Sequence, residues 1–338
     1  MEQTEKKTGW RWGVHRWWVL AFIIIGFYAA KAYPPIQPHI QLPAENVFET
    51  GLTFFGQPFY ITNTILAMLL ADVIIILIAI AIKRASMNPD ALPKGISGAV
   101  EGLLEGLYNL TEGTAGKWTK FIFPVFATIT LSVLVWNWTE LIPGVDSIGW
   151  LEPAHGEVHG FEKEELWSGF YTIVESDEAV VADDVHAEDS HEASNGYLIV
   201  PFIRVASTDL NFTLALAVIA VVAVQWMGFK ALGPKYLTKF FNTKTLFSVP
   251  IFGVIDFAVG LLELIGEFAK ILSFSFRLFG NIFAGSVLLF VIGTLVPVVA
   301  QSAFLMLEFF VGLIQAIVFG MLTMVFMSQA TESHGDDH

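Results

Sequence analysis

Glu263, Lys270 and Arg277 recur every seven residues inside a long apolar stretch, 251–296. Seven residues fall only about 20° short of two full helical turns, so the three share one face, which Ser273 and Asn281 join. An ionisable group at the centre of a bilayer costs about 2.5–3.5 kcal/mol on insertion scales, and such a group is therefore read first as part of an ion pathway. Snorkelling from a helix end accounts equally well for Glu263 and Lys270. It accounts poorly for Arg277, which stands between SFSF and LFG with no acid beside it in sequence.

A second stripe lies in the last apolar run, where Glu308, Gly312, Gln315 and Phe319 share a face and Glu308 and Gln315 are again seven apart. One acid and one amide make a proton relay; an amide that only ties helices together is the plainer reading of Gln315. Two polar pairs stand near the ends of other runs, Asn137 with Glu140 in VWNWTELIPG and Asp209 with Asn211 in STDLNFT. Helix capping accounts for Asp209, and an aqueous vestibule accounts for it as well.

These groups need elements that hold them in lipid. The chain is 54% hydrophobic and 15% charged, against about 25% charged for an average soluble domain, and its mean hydropathy is +0.62. Without cysteine, disulfides, thiolate zinc sites and iron–sulfur clusters are excluded. Spanning a bilayer takes about 20 apolar residues, and 61–82, 121–142 and 212–229 meet that length, followed by 251–296 and 298–327. The shorter run 17–30, behind Lys6, Lys7, Arg11 and Arg16 and with Trp10, Trp12, Trp17 and Trp18 at its start, fits a cleaved signal peptide and an uncleaved anchor equally. As one helix, 251–296 reaches about 69 Å and must lie steeply tilted; two spans joined by a turn at Gly280-Asn281 are the alternative.

Lys83, Arg84, Lys94, Lys117 and Lys120, and then Lys230, Lys235, Lys239 and Lys244, mark two loops as cytoplasmic. Between the first of these clusters, Ile96, Ala99, Val100, Leu103, Leu107 and Leu110 oppose Glu101, Glu105 and Glu112, the pattern of an interfacial helix with an acidic face. The segment 144–196 has fourteen acids and one lysine, most of the formal charge of −14, and falls outside the cell. It reads as a solvated, disordered loop, and its His155, His159, His186 and His191 read as part of that loop rather than as a metal site. The acids exclude nucleic acid as a partner. GTAGKWT lacks the spacing of a phosphate-binding loop, and the sequons at Asn109, Asn137 and Asn211 lie in or beside spans.

The expected fold is an all-α integral membrane protein of five or six membrane-embedded helices, including a long, steeply tilted C-terminal helical hairpin, since open-edged sheets cannot satisfy their backbone in lipid. Its expected divisions are an N-terminal hydrophobic helix (1–32), an external segment (33–58), a core of two spans with the interfacial helix (59–143), the external acidic loop (144–206), a third span with the tilted hairpin (207–330) and a cytoplasmic tail (331–338).

From about residue 45 onward the chain resembles subunit a of the F-type ATP synthases. The resemblance rests on KILSFSFRLFGNIFAGSVLLF and FVGLIQAIVFGMLTMVFMSQA, with NWTELIPG and DLNFTLAL upstream, and its RLFGN core is highly specific. It implies a stationary proton-translocating subunit, without a catalytic site or cofactor of its own, in the inner membrane of a bacterium. The implied partners are a c-ring of small proteolipids, each with one carboxylate, the peripheral-stalk b subunits and the catalytic ATPase head. Arg277 looks like that family's essential arginine; Asn281, Glu263, Lys270 and Gln315 stand where it has polar residues. The chain departs from some members at two positions, with Ser286 where they have an acid and Glu308 where they have a histidine. The expected arrangement is two offset half-channels, one opening outward near Glu140, Asp209 and Glu308, the other opening to the cytoplasm, with Asn211 also a candidate for the proton path. A self-contained secondary transporter using Arg277 to bind an anion is the alternative, although 1–338 has no internal repeat to support it.

Overall fold

The computed structural model describes residues 12–32, 43–54, 56–86, 96–154, 160–174, 196–240, 250–296 and 298–332. Among the described residues seven α-helices stand where apolar periodicity places them: α1 (Trp12–Ala32), α2 (Asn63–Ser86), α3 (Ile96–Ala115), α4 (Thr119–Trp138), α5 (Leu210–Leu232), α6 (Pro250–Leu295) and α7 (Val299–Ala330). Among the described residues, five stretches are long and apolar enough to cross a membrane: Asn63–Arg84, Gly98–Leu141, Leu210–Lys239, Phe257–Leu295 and Val299–Ala330. The protein is thus a mostly helical integral membrane protein.

α6 is one helix of 46 residues with no break at Gly280-Asn281. A turn there would free backbone N–H and C=O groups that lipid cannot satisfy, which outweighs the weak turn tendency of the Gly-Asn pair. The stretch Gly98–Leu141 is not one rod: Gly116 has φ 49 at the junction of α3 and α4, and the rings of Tyr108 and Phe123 lie 5.2 Å apart. Fifteen residues of straight helix would hold them about 22 Å apart, so α3 folds back along α4. Leu107, Thr111 and Ala115 are its buried residues, whereas Leu110 and Ala99 are exposed, contrary to the spacing argument.

Two compact units are distinguished, one comprising 40–150, 200–286 and 308–338 and the other 1–39, 151–199 and 287–307. The larger unit has the helical core. Ile129, Val133, Leu134, Leu216, Ala217, Ala220, Phe274, Leu278, Ile282, Ala316 and Phe319 form one buried cluster, so α4, α5, α6 and α7 meet there. A second cluster, with Leu107, Ile122, Phe126, Val224, Met227, Met324 and Met327, lies toward the lysine-rich end. α4 and α7 approach closely at Gly320, where any side chain would collide with Thr130.

The segments outside the spans differ from expectation. β1 (Asn46–Phe54) and β2 (Gln57–Thr62) form an antiparallel hairpin that runs directly into α2, with Gly56 at φ 81 in its turn. The acidic segment, expected to be disordered, is partly sheet: β3 (Gly149–Pro153) pairs with β6 (Tyr197–Pro201), and β4 (Glu162–Trp167) with β5 (Phe170–Val174). Charge hides β4 from a propensity reading, because every one of its side chains is exposed and only its aromatic, β-branched partner FYTIV has sheet character. Lys163 donates to the Tyr197 hydroxyl at 3.1 Å and lies over its ring, tying the hairpin to β6. His155, His159, His186 and His191 lie outside the described residues.

Candidate functional site

α6 has two unlike faces. Phe274, Leu278 and Ile282 are at most 2% exposed and pack into the core, with the rings of Phe274 and Phe319 5.1 Å apart. Thr213 of α5 and Ser275 share a hydrogen bond of 3.2 Å on that side. The opposite stripe, Ser273, Arg277, Asn281, Ala284 and Leu288, is exposed. Arg277 has no ion pair and no hydrogen bond among the described residues, and the exposed Leu272 and Phe276 flank it. Of the heptad, Glu263 and Lys270 are partly buried and engage ion-pair partners, whereas Arg277 stands on the exposed stripe.

Toward the acidic-loop end, α6 meets two carboxyl groups. Glu140 follows α4 in the short turn Thr139–Leu141, and its Oε1 accepts from the Ser286 hydroxyl at 2.5 Å. Glu140 Oε2 is buried and has no hydrogen-bond partner among the described residues, and the same is true of Glu308 Oε1. Glu140 meets α6 at Ser286 and Glu308 meets it at the neighbouring Gly285. Glu308 fits because position 285 is glycine: a Cβ there would collide with the Glu308 carboxyl. Two carboxyls, each with an oxygen free of partners among the described residues, and a hydroxyl gathered at one turn of α6 form a polar pocket that can take up, hold and pass on a proton. Gly285→Ala is expected to displace Glu308 at a local cost of about 1–3 kcal/mol and to lower proton movement about tenfold with the chain still inserted; unchanged flux would show that this close fit is incidental.

The other expected residues separate from this pocket. Asn137 donates to the Gly312 carbonyl at 3.2 Å and accepts from Ser207 at 2.7 Å, joining α4 and α7 to the turn before α5. Asp209 caps α5, accepting from the Asn211 amide at 2.9 Å, and also accepts from Thr64 of α2 at 3.1 Å. Asn211 itself points outward, and the Gln315 amide is partly buried with no hydrogen bond among the described residues.

Asp146 was not singled out by spacing. It has φ 61, its amide donates to the Ile203 carbonyl at 3.1 Å, and its Oδ1 is buried without a partner among the described residues. Burial pushes its carboxyl up from 3.8 to about 7, opposed by Arg204 and reinforced by Glu45. Between about pH 4 and 7 the unfolded chain therefore sheds a proton that the folded chain keeps, so folded stability falls as pH rises through that window. Asp146→Asn should flatten this fall, whose ceiling is about 4 kcal/mol. The check is thermal unfolding of the purified protein at pH 5 and pH 8: equal pH dependence in parent and variant would contradict it.

At the lysine-rich end a second polar cluster forms around Glu267, which spacing alone also passes over although it lies three residues from Lys270. Glu267 is 7% exposed. It accepts from Lys270 at 2.8 Å and from Gln225 at 2.9 Å, while Gln225 accepts from the Tyr236 hydroxyl at 2.9 Å. Lys239 bridges to Glu263 at 3.0 Å and reaches Glu267 at 3.8 Å. Tyr236, Lys239, Glu263, Glu267 and Lys270 line a cavity of about 370 Å³ with Gln329 and Glu332. Asp72, inside α2, is a further acid missed by the spacing argument; it accepts from the Trp136 indole at 3.2 Å. The signal was an acid within an apolar run.

Along α6, Lys270 lies about 10 Å from Arg277, and Ser286 about 14 Å beyond it in the other direction. Arg277 is thus between the two polar clusters. Among the described residues no group of three or more His, Asp or Glu side chains is arranged to hold a metal ion.

Comparison with known proteins gives two matches. The family model described as ATP synthase A chain matches residues 65–328, most of the chain. A stretch of 71 residues is 38% identical to a protein named ATP synthase subunit a from Geobacter sulfurreducens, covering 21% of this chain and 31% of that protein. The aligned stretch spans less than a third of that relative's length.

Proposed function

The chain belongs to the ATP synthase A chain family, and from that premise we propose that it is the stationary ion-channel subunit of a rotary ATP synthase. In this reading it provides two offset half-channels that pass protons to and from the carboxylates of a ring of small proteolipids. The outward one opens through the pocket of Glu140, Ser286 and Glu308, with Asp209 and Asn137 nearer its mouth. The inward one opens through the cavity of Glu263, Glu267 and Lys270 to the cytoplasm. The supporting observation is the place of Arg277, without a partner among the described residues, on the exposed face of α6 between the two clusters.

The mechanism follows from charge. A ring carboxylate arriving opposite Arg277 is held ionised, because an opposite charge nearby favours the charged form. It therefore gives up its proton to one half-channel before passing and takes one from the other afterwards. The same guanidinium, which side chains in proteins do not deprotonate, blocks a direct proton leak. Moving one charge across the membrane potential supplies about 2.3 kcal/mol per 100 mV. The remaining partners in this reading are the peripheral-stalk b subunits and the catalytic head, and the location is the plasma membrane of a bacterium. An anion transporter built on Arg277 would need that side chain inside a cavity, whereas it is exposed.

The experiment is purification in mild detergent with Asn281→Cys for crosslinking. Co-purification of a small proteolipid that crosslinks at position 281, together with a soluble ATPase, is the expected result. A chain that purifies alone and moves an anion would replace this reading with the transporter.

A further inference from the structure

We propose that the lysine-rich ends of α4 and α5 form a binding site for the phosphate headgroup of an anionic phospholipid. Lys117 lies in the turn Gly116–Trp118, Lys120 in the first turn of α4, and Lys230 in the last turn of α5. The Lys230 ammonium lies 3.4 Å from the centre of the Phe121 ring and 4.8 Å from that of Trp226, which brings the start of α4 and the end of α5 together. Lys117 lies over Trp118 at 6.0 Å, and the Trp118 and Phe121 rings are themselves 6.0 Å apart. The three lysines and their aromatic neighbours thus form one continuous patch.

Nothing within the described residues neutralises it. Lys239 and Lys270, at the same end of the molecule, are paired with Glu263 and Glu267, but Lys117, Lys120 and Lys230 have no carboxylate partner among the described residues and are all exposed. One further donor there wants an acceptor: the Trp118 indole N–H is buried without a partner among the described residues. Three cations and an unmet indole donor are together the chemistry that phosphate oxygens satisfy.

The surface beside the patch identifies the phosphate as that of a lipid. From Lys230, Trp226, Val222 and Ile219 follow at spacings of four, four and three, one face of α5, and they are 53%, 60% and 60% exposed. Phe121, 44% exposed, continues this apolar surface on α4. A free phosphate would have no use for such a stripe, whereas an acyl chain would lie along it with its headgroup at the lysines. Basic residues at the cytoplasmic end of spans attract anionic lipid, each by roughly fivefold. The proposal needs only that the chain sits in a membrane and does not depend on the proton route.

The test uses the whole complex, reconstituted in phosphatidylcholine vesicles with a trace of a photoactivatable phosphatidylglycerol or, in parallel, photoactivatable phosphatidylcholine. Labelled peptides are identified by mass spectrometry, with labelling of α7 as the internal standard. The phosphatidylglycerol probe should label 117–121 and 226–230 at least about fivefold more than the phosphatidylcholine probe. Lys230→Gln should remove most of that preference, and the triple variant Lys117→Gln, Lys120→Gln, Lys230→Gln should remove all of it. Millimolar inorganic phosphate should not compete. Equal labelling by the two probes, an undiminished preference in Lys230→Gln, or displacement by inorganic phosphate would each overturn the assignment, the last by revealing a small-anion site. Should the triple variant fail to assemble, the single variant decides.

Discussion

Arg277→Ala is expected to abolish ATP synthesis and ATP-driven proton pumping while the assembled complex persists. The side chain is exposed on α6 and unpaired among the described residues, so its removal leaves no buried partner unsatisfied and opens no cavity in the core formed by Phe274, Leu278 and Ile282. What it removes is the fixed charge between the two polar clusters. Without it a protonated ring carboxylate passes from one half-channel to the other, so passive proton permeability should stay or rise while synthesis stops. Arg277→Lys should be severely impaired as well, because a compact, strongly hydrated ammonium lacks the broad planar fork with which a guanidinium meets a carboxylate. The measurement is proton flux and ATP synthesis in vesicles at matched complex content. Near-normal synthesis by Arg277→Ala would sink the mechanism.

Glu308→Gln should slow proton movement by at least about tenfold, equivalent to about 1.4 kcal/mol of barrier, without dismantling the complex. The amide has the shape of the carboxyl and still fits beside Gly285, but it cannot exchange a proton, and the Oε1 without a partner marks the group as more than a tie between helices. Glu308→Asp, which keeps the chemistry and shortens the reach, should recover part of the flux. Glu140→Gln serves as the companion variant, since Ser286 can donate to an amide oxygen as well as to a carboxylate and the pocket keeps its hydrogen bond. Unchanged ATP-driven pumping in inverted vesicles by Glu308→Gln, at normal assembly, would remove Glu308 from the path and leave the hydroxyl and Glu140 to account for it.

The spans were legible in the chain because apolar length is a local property. Runs such as 61–82 and 212–229 name α2 and α5 directly, and α6 could be expected as one helix because no proline interrupts 251–296, against the turn signal at Gly280-Asn281. The face of Arg277 was legible for the same reason, since seven residues nearly complete two turns wherever the helix lies. The RLFGN segment also carried the family resemblance, to which the match over 65–328 now gives its extent. The paired strands were not legible, because β4 faces water along its whole length and spells EKEELW, with no alternation to betray a buried side.

What only the tertiary structure decided is which groups meet. Glu140 and Ser286 are separated by 146 residues, and Gln225 and Glu267 by 42, so no periodicity relates them; their pairing depends on how each helix is rotated and how closely it approaches its neighbour. Gly285 shows why. Its missing side chain says nothing by itself in the sequence, yet it is the space into which the Glu308 carboxyl fits. Spacing along one helix determines which residues share a face, and packing between helices determines what that face touches.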